Sequence, residues 1–240
     1  MGGSHRIIRA AMTTLQFHNE HFLIAVKPTG ILTVPDRGGV DSAHPVLGLQ
    51  LQDELGVRLF PVHRLDLPVA GLVVFALNAE AHKIANTWFE NRLVHKTYRA
   101  WTHAQSFAHI PAHVGNPRHA ITLTSDMQFE WRGRIDRNKR RAFESPHGKS
   151  SLTLAQYLGR HSKHGHLLWN AEPVTGRPHQ LRLDLSRHGF PVVGDALYGS
   201  TMEFGRDRIA LKAFRLDFSA IVETQRLGLP EQVQIDPAEL

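Results

Sequence analysis

A continuous apolar run, Leu72 to Leu77, is bounded by Gly71 and Asn78 and reads as a strand buried on both faces. The loop that enters it, His63-Arg64-Leu65-Asp66-Leu67-Pro68-Val69-Ala70-Gly71, carries Pro68 and Gly71 as breakers. Phe22 to Val26 reads as another buried strand, stopped by the turn Lys27-Pro28-Thr29-Gly30 and continued by a short extended piece, Ile31 to Val34. Asp36 to Asp41 reads as a Gly-containing loop. Pro45 to Leu55 reads as a short helix with Val46, Leu49 and Leu55 on one side and Gly56 as its stop. The clearest helix follows the apolar run. Asn78 caps it, Glu80 lies in its first turn, and Ala81, Ile84, Ala85, Trp88 and Phe89 repeat on one face.

The strand Lys96 to Trp101 puts Lys96, Tyr98 and Ala100 on one face and Thr97, Arg99 and Trp101 on the other. Phe107 to Ser125 is rich in Pro and His, with weak strand signals. Leu152 to Leu158 and Leu167 to Ala171 read as strands joined by a His-rich turn. Pro178 to His188 reads as a helix with Pro178 in its first turn, Leu181 and Leu185 at i, i+4, and Gly189 as its end. Ile209 to Phe218 reads as a last strand with shifting alternation that predicts a bulge, and the polar tail from Gln225 to Leu240 is expected to be loose. No repeat, linker or composition break divides residues 12–224, so one domain of mixed α and β elements with a large sheet is expected.

Composition narrows the chemistry. The chain has 240 residues, 42% hydrophobic and 21% charged, an ordinary globular balance with ample material for a core. It has no cysteine, which excludes disulfides and cysteine-based zinc or iron–sulfur sites and fits a reducing, cytoplasmic compartment. No apolar run approaches the length of a membrane helix. Met1 to Ala11 lacks the apolar stretch of a secretory signal and reads as a disordered or added leader, with Met12 opening a more natural start. The formal net charge is +6, and 17 histidines add to it in acid, so polyanions and nucleic acid above all are the expected partners.

The charge is concentrated at Arg132, Arg134, Arg137, Lys139, Arg140 and Arg141, against the single acid Asp136. This stretch reads either as a solvated charged loop or as a mobile arm that contacts phosphates. His161, His164 and His166 sit in one turn, but no acid or second histidine motif at helical spacing supports a metal site. Gly148-Lys149-Ser150 resembles the end of a phosphate loop, yet Phe143 stands where its first glycine belongs. Neither a dinucleotide fingerprint nor a hydrolase nucleophile elbow occurs. What remains is a carboxylate with arginines and a tyrosine. Arg64 and Asp66 form either a loop-end ion pair or a reacting pair on a rigid strand, since a neighbouring cation keeps an Asp ionised as a nucleophile or base requires. Tyr98 is either a core residue or a ring on which a base stacks. Arg182 shares a helix face with His179 at i, i+3 and is either a surface pair or part of the site.

Four blocks then resemble the RluA-like pseudouridine synthases, which isomerise uridine in ribosomal or transfer RNA. They are Leu23-Ile24-Ala25-Val26-Lys27-Pro28-Thr29-Gly30, His63-Arg64-Leu65-Asp66, Lys96-Thr97-Tyr98-Arg99-Ala100, and Thr175-Gly176-Arg177-Pro178-His179-Gln180-Leu181-Arg182 with Gly194-Asp195-Ala196-Leu197-Tyr198-Gly199. The resemblance implies an α+β fold with a mixed, mostly antiparallel central sheet, flanking helices and a central catalytic cleft. It makes Asp66 the catalytic aspartate, Tyr98 the ring that stacks on the flipped uracil, and Arg182 the cation that orients Asp66. Arg64, His63, Lys96, Leu183, Arg177 and His179 would line the substrate, and the Arg132 to Arg141 arm would bind RNA. It implies no cofactor and no metal, and a monomer acting on an RNA stem-loop. Val69-Ala70 stand where the family usually has Thr-Ser, Leu67 where a polar or basic residue is common, Pro178 for a usual Thr, and Asp184 for a usual His. The residues before Phe22 are too few for the N-terminal RNA-binding module of longer relatives, so target choice would rest on the domain itself. The rival expectation is a catalytically idle RNA-binding or RNA-chaperone domain of the same fold.

Overall fold

The computed structural model describes residues 14–35, 44–115 and 118–238; the leader and the Asp36 to Asp41 loop lie outside the described residues. The contacts divide the chain into two compact units. The first comprises Met1–Val94 with Leu216–Ile235, the second His95–Arg215 with Asp236–Leu240. Both belong to an α+β fold with a mostly antiparallel sheet and, among the described residues, three α-helices, as the sequence predicts.

In the first unit β1 (Leu15–His18) pairs with β2 (Phe22–Lys27), joined by a turn in which Asn19 Oδ1 accepts from the His21 and Phe22 amides at 2.8 and 2.7 Å. Helix α1 (Leu47–Leu55) follows, then the short β3 (Phe60–Pro61) and β4 (Ala70–Ala76). β2 runs antiparallel to β4 from Phe22↔Ala76 to Lys27↔Gly71. Phe22, Leu23, Ile24 and Ala25 on one strand and Leu72, Val73, Val74 and Phe75 on the other are almost fully buried, which is why both read as unbroken apolar runs. α1 differs from its predicted face: Leu47 and Leu51 are buried, whereas Leu49 is half-buried. Gly48 allows that rotation, because a Cβ there would lie 3.3 Å from the Phe75 ring.

Helix α2 (Ala79–Glu90) is capped as expected: Asn78 Oδ1 accepts from the Ala81 amide at 2.8 Å. Its buried Ala81, Ala85 and Trp88 face Phe22, Ile24, Leu72 and Val74. The same core takes Leu229 and Val233 from the tail. The tail is therefore not uniformly loose. It forms β11 (Gln232–Gln234), and the Phe218 amide donates to the Glu231 oxygen at 2.7 Å. Leu229 and Val233 anchor this polar stretch with help from the partly buried Leu227 and Ile235, each buried side chain contributing on the order of 2 kcal/mol of transfer free energy.

The second unit begins with β5 (His95–Thr102), followed by β6 (Gln128–Arg137), β7 (Ala142–Glu144), β8 (Lys149–Arg160), β9 (Leu167–Pro173), α3 (Gln180–Arg187) and β10 (Leu211–Asp217), through which the chain returns. Within it the strands lie in the order β10-β5-β9-β8-β6-β7. Phe107 to Ser125 holds no strand among its described residues, only one turn of 3-10 helix at Ala112–Val114. The Arg132 to Arg141 arm is corrected. β6 pairs residue for residue with β8 from Gln128↔Gln156 to Ile135↔Lys149, and Ile135 to Arg137 pair with β7. Alternation of buried Trp131 and Ile135 with exposed Arg132, Arg134 and Asp136 makes it a half-buried strand, a period-2 signal that the charge count concealed. α3 also starts later than predicted. His179 takes φ 50°, so Pro178 lies before the helix rather than in its first turn.

Candidate active site

Asp66 lies in the first unit, in the loop between β3 and β4. The Val69 amide donates to the Asp66 oxygen at 3.1 Å, closing a tight turn. Leu65 and Val69 are buried, with 4% and 3% exposure, so the half-buried Asp66 is pinned on both sides. Val69 thus anchors the loop by packing, where a threonine would use a hydroxyl. The Leu65 amide donates to Thr33 Oγ1 at 3.1 Å, and Gly30 donates to the Leu67 oxygen at 3.0 Å. Beneath the loop Lys27 is fully buried, and its Nζ donates to the oxygens of Pro28, Ile31 and Leu67 at 2.9, 2.8 and 3.2 Å. Burial lowers the Lys27 pKa from 10.5 to about 8, against the opposing pull of the Asp66 carboxylate. The Lys27 to Gly30 turn therefore serves as the floor of the Asp66 loop.

His63, expected at the substrate, is an anchor of this loop. Its Nε2 accepts from the Val74 amide at 3.1 Å, and its ring stacks on Phe89 at 5.0 Å and 20°. Arg64 is exposed.

Tyr98 and Lys96 share a face of β5 in the second unit, Tyr98 standing opposite Ala171 of β9. Burial lowers the Lys96 pKa, which favours a neutral amine more than in water. Arg182, on α3, holds Asp195 through two bonds, Nε to Oδ2 at 2.6 Å and NH2 to Oδ1 at 2.8 Å. Both side chains are buried, and a fork of this kind fixes the guanidinium plane. That plane also lies over the Tyr198 ring, 5.0 Å from its centre, and NH1 is 3.4 Å from His179 Nδ1. His179 Nδ1 is in turn 3.0 Å from the Tyr198 hydroxyl. Arg177 is half-buried, with Nε donating to the Ser150 oxygen at 2.9 Å.

Leu183 is corrected: it is fully buried with Val114, Ile135, Ala142 and Tyr198, so it belongs to the core rather than to a substrate surface. Asp195 and Tyr198 are the residues that sequence reasoning passed over. They lie in the Gly194 to Gly199 motif, and nothing in spacing alone says which carboxylate an arginine will take.

Further along α3, Asp184 is fully buried. It accepts from Thr153 Oγ1 at 2.6 Å and pairs with Arg187 NH2 at 2.7 Å. Burial raises its pKa to about 6, although Arg187 and Thr153 pull it down. Arg187, also fully buried, reaches Glu144 at 3.1 Å and the Arg132 oxygen at 3.3 Å. This network fastens the helix that carries Arg182 to β6, β7 and β8.

Arg132, Arg134, Arg137, Lys139, Arg140 and Arg141 are all exposed. They ride on β6 and on the turn after it, where Asn138 Oδ1 accepts from the Arg140 and Arg141 amides at 2.9 and 3.0 Å. Arg132 is paired with Glu130 at 2.5 Å. Among the described residues no group of three or more His, Asp or Glu could hold a metal ion, and no helix is long and apolar enough to cross a membrane. In the first unit a carboxylate on a clamped loop is a group suited to acid–base or nucleophilic work; the second unit carries a strand tyrosine and a rigidly forked arginine.

Residues 21–187 match the sequence model of the family described as RNA pseudouridylate synthase. The dual-specificity RNA pseudouridine synthase RluA of Vibrio vulnificus is 32% identical over 211 residues, covering 86% of this chain and 77% of that protein. The tRNA pseudouridine synthase C of Pasteurella multocida is 28% identical over 229 residues, covering 91% and 90%. Among solved structures, human RNA pseudouridylate synthase domain containing 1 superposes with a TM-score of 0.64 at 24% identity, covering 98% of this chain and 85% of that one, a likeness of fold.

Proposed function

The chain belongs to the RNA pseudouridylate synthase family, and we propose that it converts uridine to pseudouridine in ribosomal or transfer RNA with Asp66 as its reacting carboxylate. The observation that carries this reading is the family match over residues 21–187, a span that includes the positions of Asp66, Tyr98 and Arg182. Relatives named for action on transfer RNA, and for dual specificity, support RNA as the substrate class.

The reaction breaks the bond between uracil N1 and the ribose C1′, turns the base, and joins C5 to the same C1′. The proton leaves C5 and N1 regains one, so no atoms are gained or lost. Asp66 acts on the ribose. Its loop is held by Lys27, Thr33 and the buried Leu65 and Val69, so the carboxylate needs little reorganisation during reaction. Tyr98 offers a ring face to the uracil and assists at C5. Arg182 supplies a cation whose plane is fixed by Asp195. The target base must leave its stack, at a cost of a few kcal/mol, offset by stacking and phosphate contacts. The exposed Arg134, Arg137, Lys139 and Arg140 provide a basic ribbon for those phosphates, on an ordered strand and turn. We place this activity in the cytoplasm, on RNA stem-loops.

The test is direct. Purified protein is incubated with transcribed ribosomal and transfer RNAs, and carbodiimide-dependent primer-extension stops are mapped. New pseudouridine at a defined uridine is expected. If no RNA of the source cell is modified, and deleting the gene removes no site, the reading fails.

A further inference from the structure

The His-rich turn between β8 and β9 carries none of the residues assigned to the reaction, yet it is built. His161, His164 and His166 gather over Trp101 of β5, with ring centres 4.8, 5.8 and 5.8 Å from the indole. The imidazoles also stack on one another: His161 on His164 at 5.0 Å and 25°, His164 on His166 at 5.9 Å and 20°. Phe204 closes the indole edge at 6.0 Å. The turn itself is fixed, because His161 Nδ1 accepts from the Lys163 and His164 amides, both at 3.3 Å. Trp101 is buried beneath, with 9% exposure, while His164 is exposed as the outer ring.

The rim is basic. Arg160, Lys163, Arg206 and Arg208 are exposed around the rings, with Glu203 and Asp207 as the carboxylates of the neighbouring 200–208 loop and Arg206 within 3.8 Å of Asp207. Burial and neighbouring imidazoles lower the pKa of His166 and, across the patch, of His103, whose Nε2 is 2.8 Å from Ser200 Oγ. His166 therefore favours the neutral form more than a free imidazole does, and in that form it stacks on His164 without mutual repulsion. The rings meet through their faces rather than by converging nitrogens, and the described residues offer no metal site.

We propose that this turn is a second RNA-binding surface, an imidazole and indole platform that stacks an unpaired base of the substrate RNA while Lys163, Arg160 and Arg208 take the adjacent phosphates. An exposed imidazole flanked by half-buried ones, backed by a buried indole and rimmed by cations, is what single-stranded nucleic acid recognises, through stacking on any base and phosphate attraction. The proposal rests on the chain being an RNA-modifying enzyme, and it adds a contact outside the groups assigned to the reaction.

The test compares the wild-type protein with the double variant Lys163→Ser, His164→Ser, both at exposed turn positions. Fluorescence anisotropy measures binding to a labelled single-stranded oligouridylate and to a blunt RNA duplex, and tryptophan emission is followed in the same titrations. The variant is expected to bind the single strand about tenfold more weakly, to bind the duplex almost unchanged, and to lose the part of the tryptophan quench that the wild type shows. Equal single-strand affinity in both proteins overturns the platform. Pseudouridine formation is assayed on the same preparations, which separates the two readings. Wild-type protein that modifies RNA while the variant keeps full single-strand affinity overturns the platform alone. Wild-type protein that modifies no RNA, but whose single-strand binding falls in the variant, overturns the enzyme reading alone.

Discussion

Lys27 donates from its buried ammonium to the Leu67 oxygen at 3.2 Å, one residue beyond Asp66, while also holding Pro28 and Ile31. Replacing it by methionine keeps the volume and strips three carbonyls of their donor. Lys27→Met is expected to cost about 1–3 kcal/mol of stability and to lower kcat with little change in RNA affinity. Chemical denaturation and single-turnover kinetics check both. The sign of the pH effect is fixed by the lowered pKa. Between about pH 8 and 10.5 the unfolded lysine holds a proton that the folded one has released, so wild-type stability rises there relative to the variant.

On α3, Arg187 is paired with Asp184 at 2.7 Å, both fully buried. Arg187→Met leaves that carboxylate without its cation and is expected to cost about 3–5 kcal/mol near neutral pH. The folded Asp184 keeps its proton up to about pH 6, whereas an ordinary aspartate releases it near 3.8. Stability from this group is therefore full below about pH 4 and is lost as pH rises through about 6. The deficit of Arg187→Met should be smaller below pH 6 than at neutrality, as urea titrations at two pH values will show.

A Cβ at Gly133 would lie 2.4 Å from Arg187 NH1, on a side chain that has no room to retreat. Gly133→Ala is expected to destabilise the protein by about 1–3 kcal/mol, seen as a lower thermal midpoint.

The fork from Arg182 to Asp195 predicts a positioning effect. Asp195→Asn keeps one acceptor and loses the charge, so Arg182 can turn. A loss in kcat of about 10²-fold is expected with KM nearly constant. Equal losses in kcat and RNA affinity would mean that the site had collapsed instead.

Arg134, Arg137 and Arg140 are exposed on the β6 ribbon. Each alanine substitution that removes a phosphate contact should weaken RNA binding and reduce the salt slope by about one. Affinity measured across a salt series tests each position.

Much of the fold could be read from pattern. The buried pair β2 and β4 shows as two unbroken apolar runs, and α2 announces itself by Asn78 and a clean helical stripe. Charge conceals β6, because its three arginines match its three large apolar residues in number, while the alternation of Phe129, Trp131 and Ile135 is the stronger signal. The start of α3 moved because His179 adopts a left-handed backbone, which no propensity rule assigns to a histidine before a helix. The candidate site residues stand in the motif blocks, whereas their structural supports do not show there. Leu183 sits beside Arg182 in sequence but packs into the core with Val114 and Ile135, and the partnership of Arg182 with Asp195 depends on tertiary closure of a thirteen-residue span.

The central claim is that Asp66 performs the chemistry. Uridine tritiated at C5 releases its label to water when C5 bonds to ribose, so tritium release from labelled transfer RNA reports the reaction itself. The wild type should release tritium from a defined uridine. Asp66→Asn should release none above background while its thermal midpoint and RNA affinity stay at wild-type values. Release by Asp66→Asn at the wild-type rate would contradict the account.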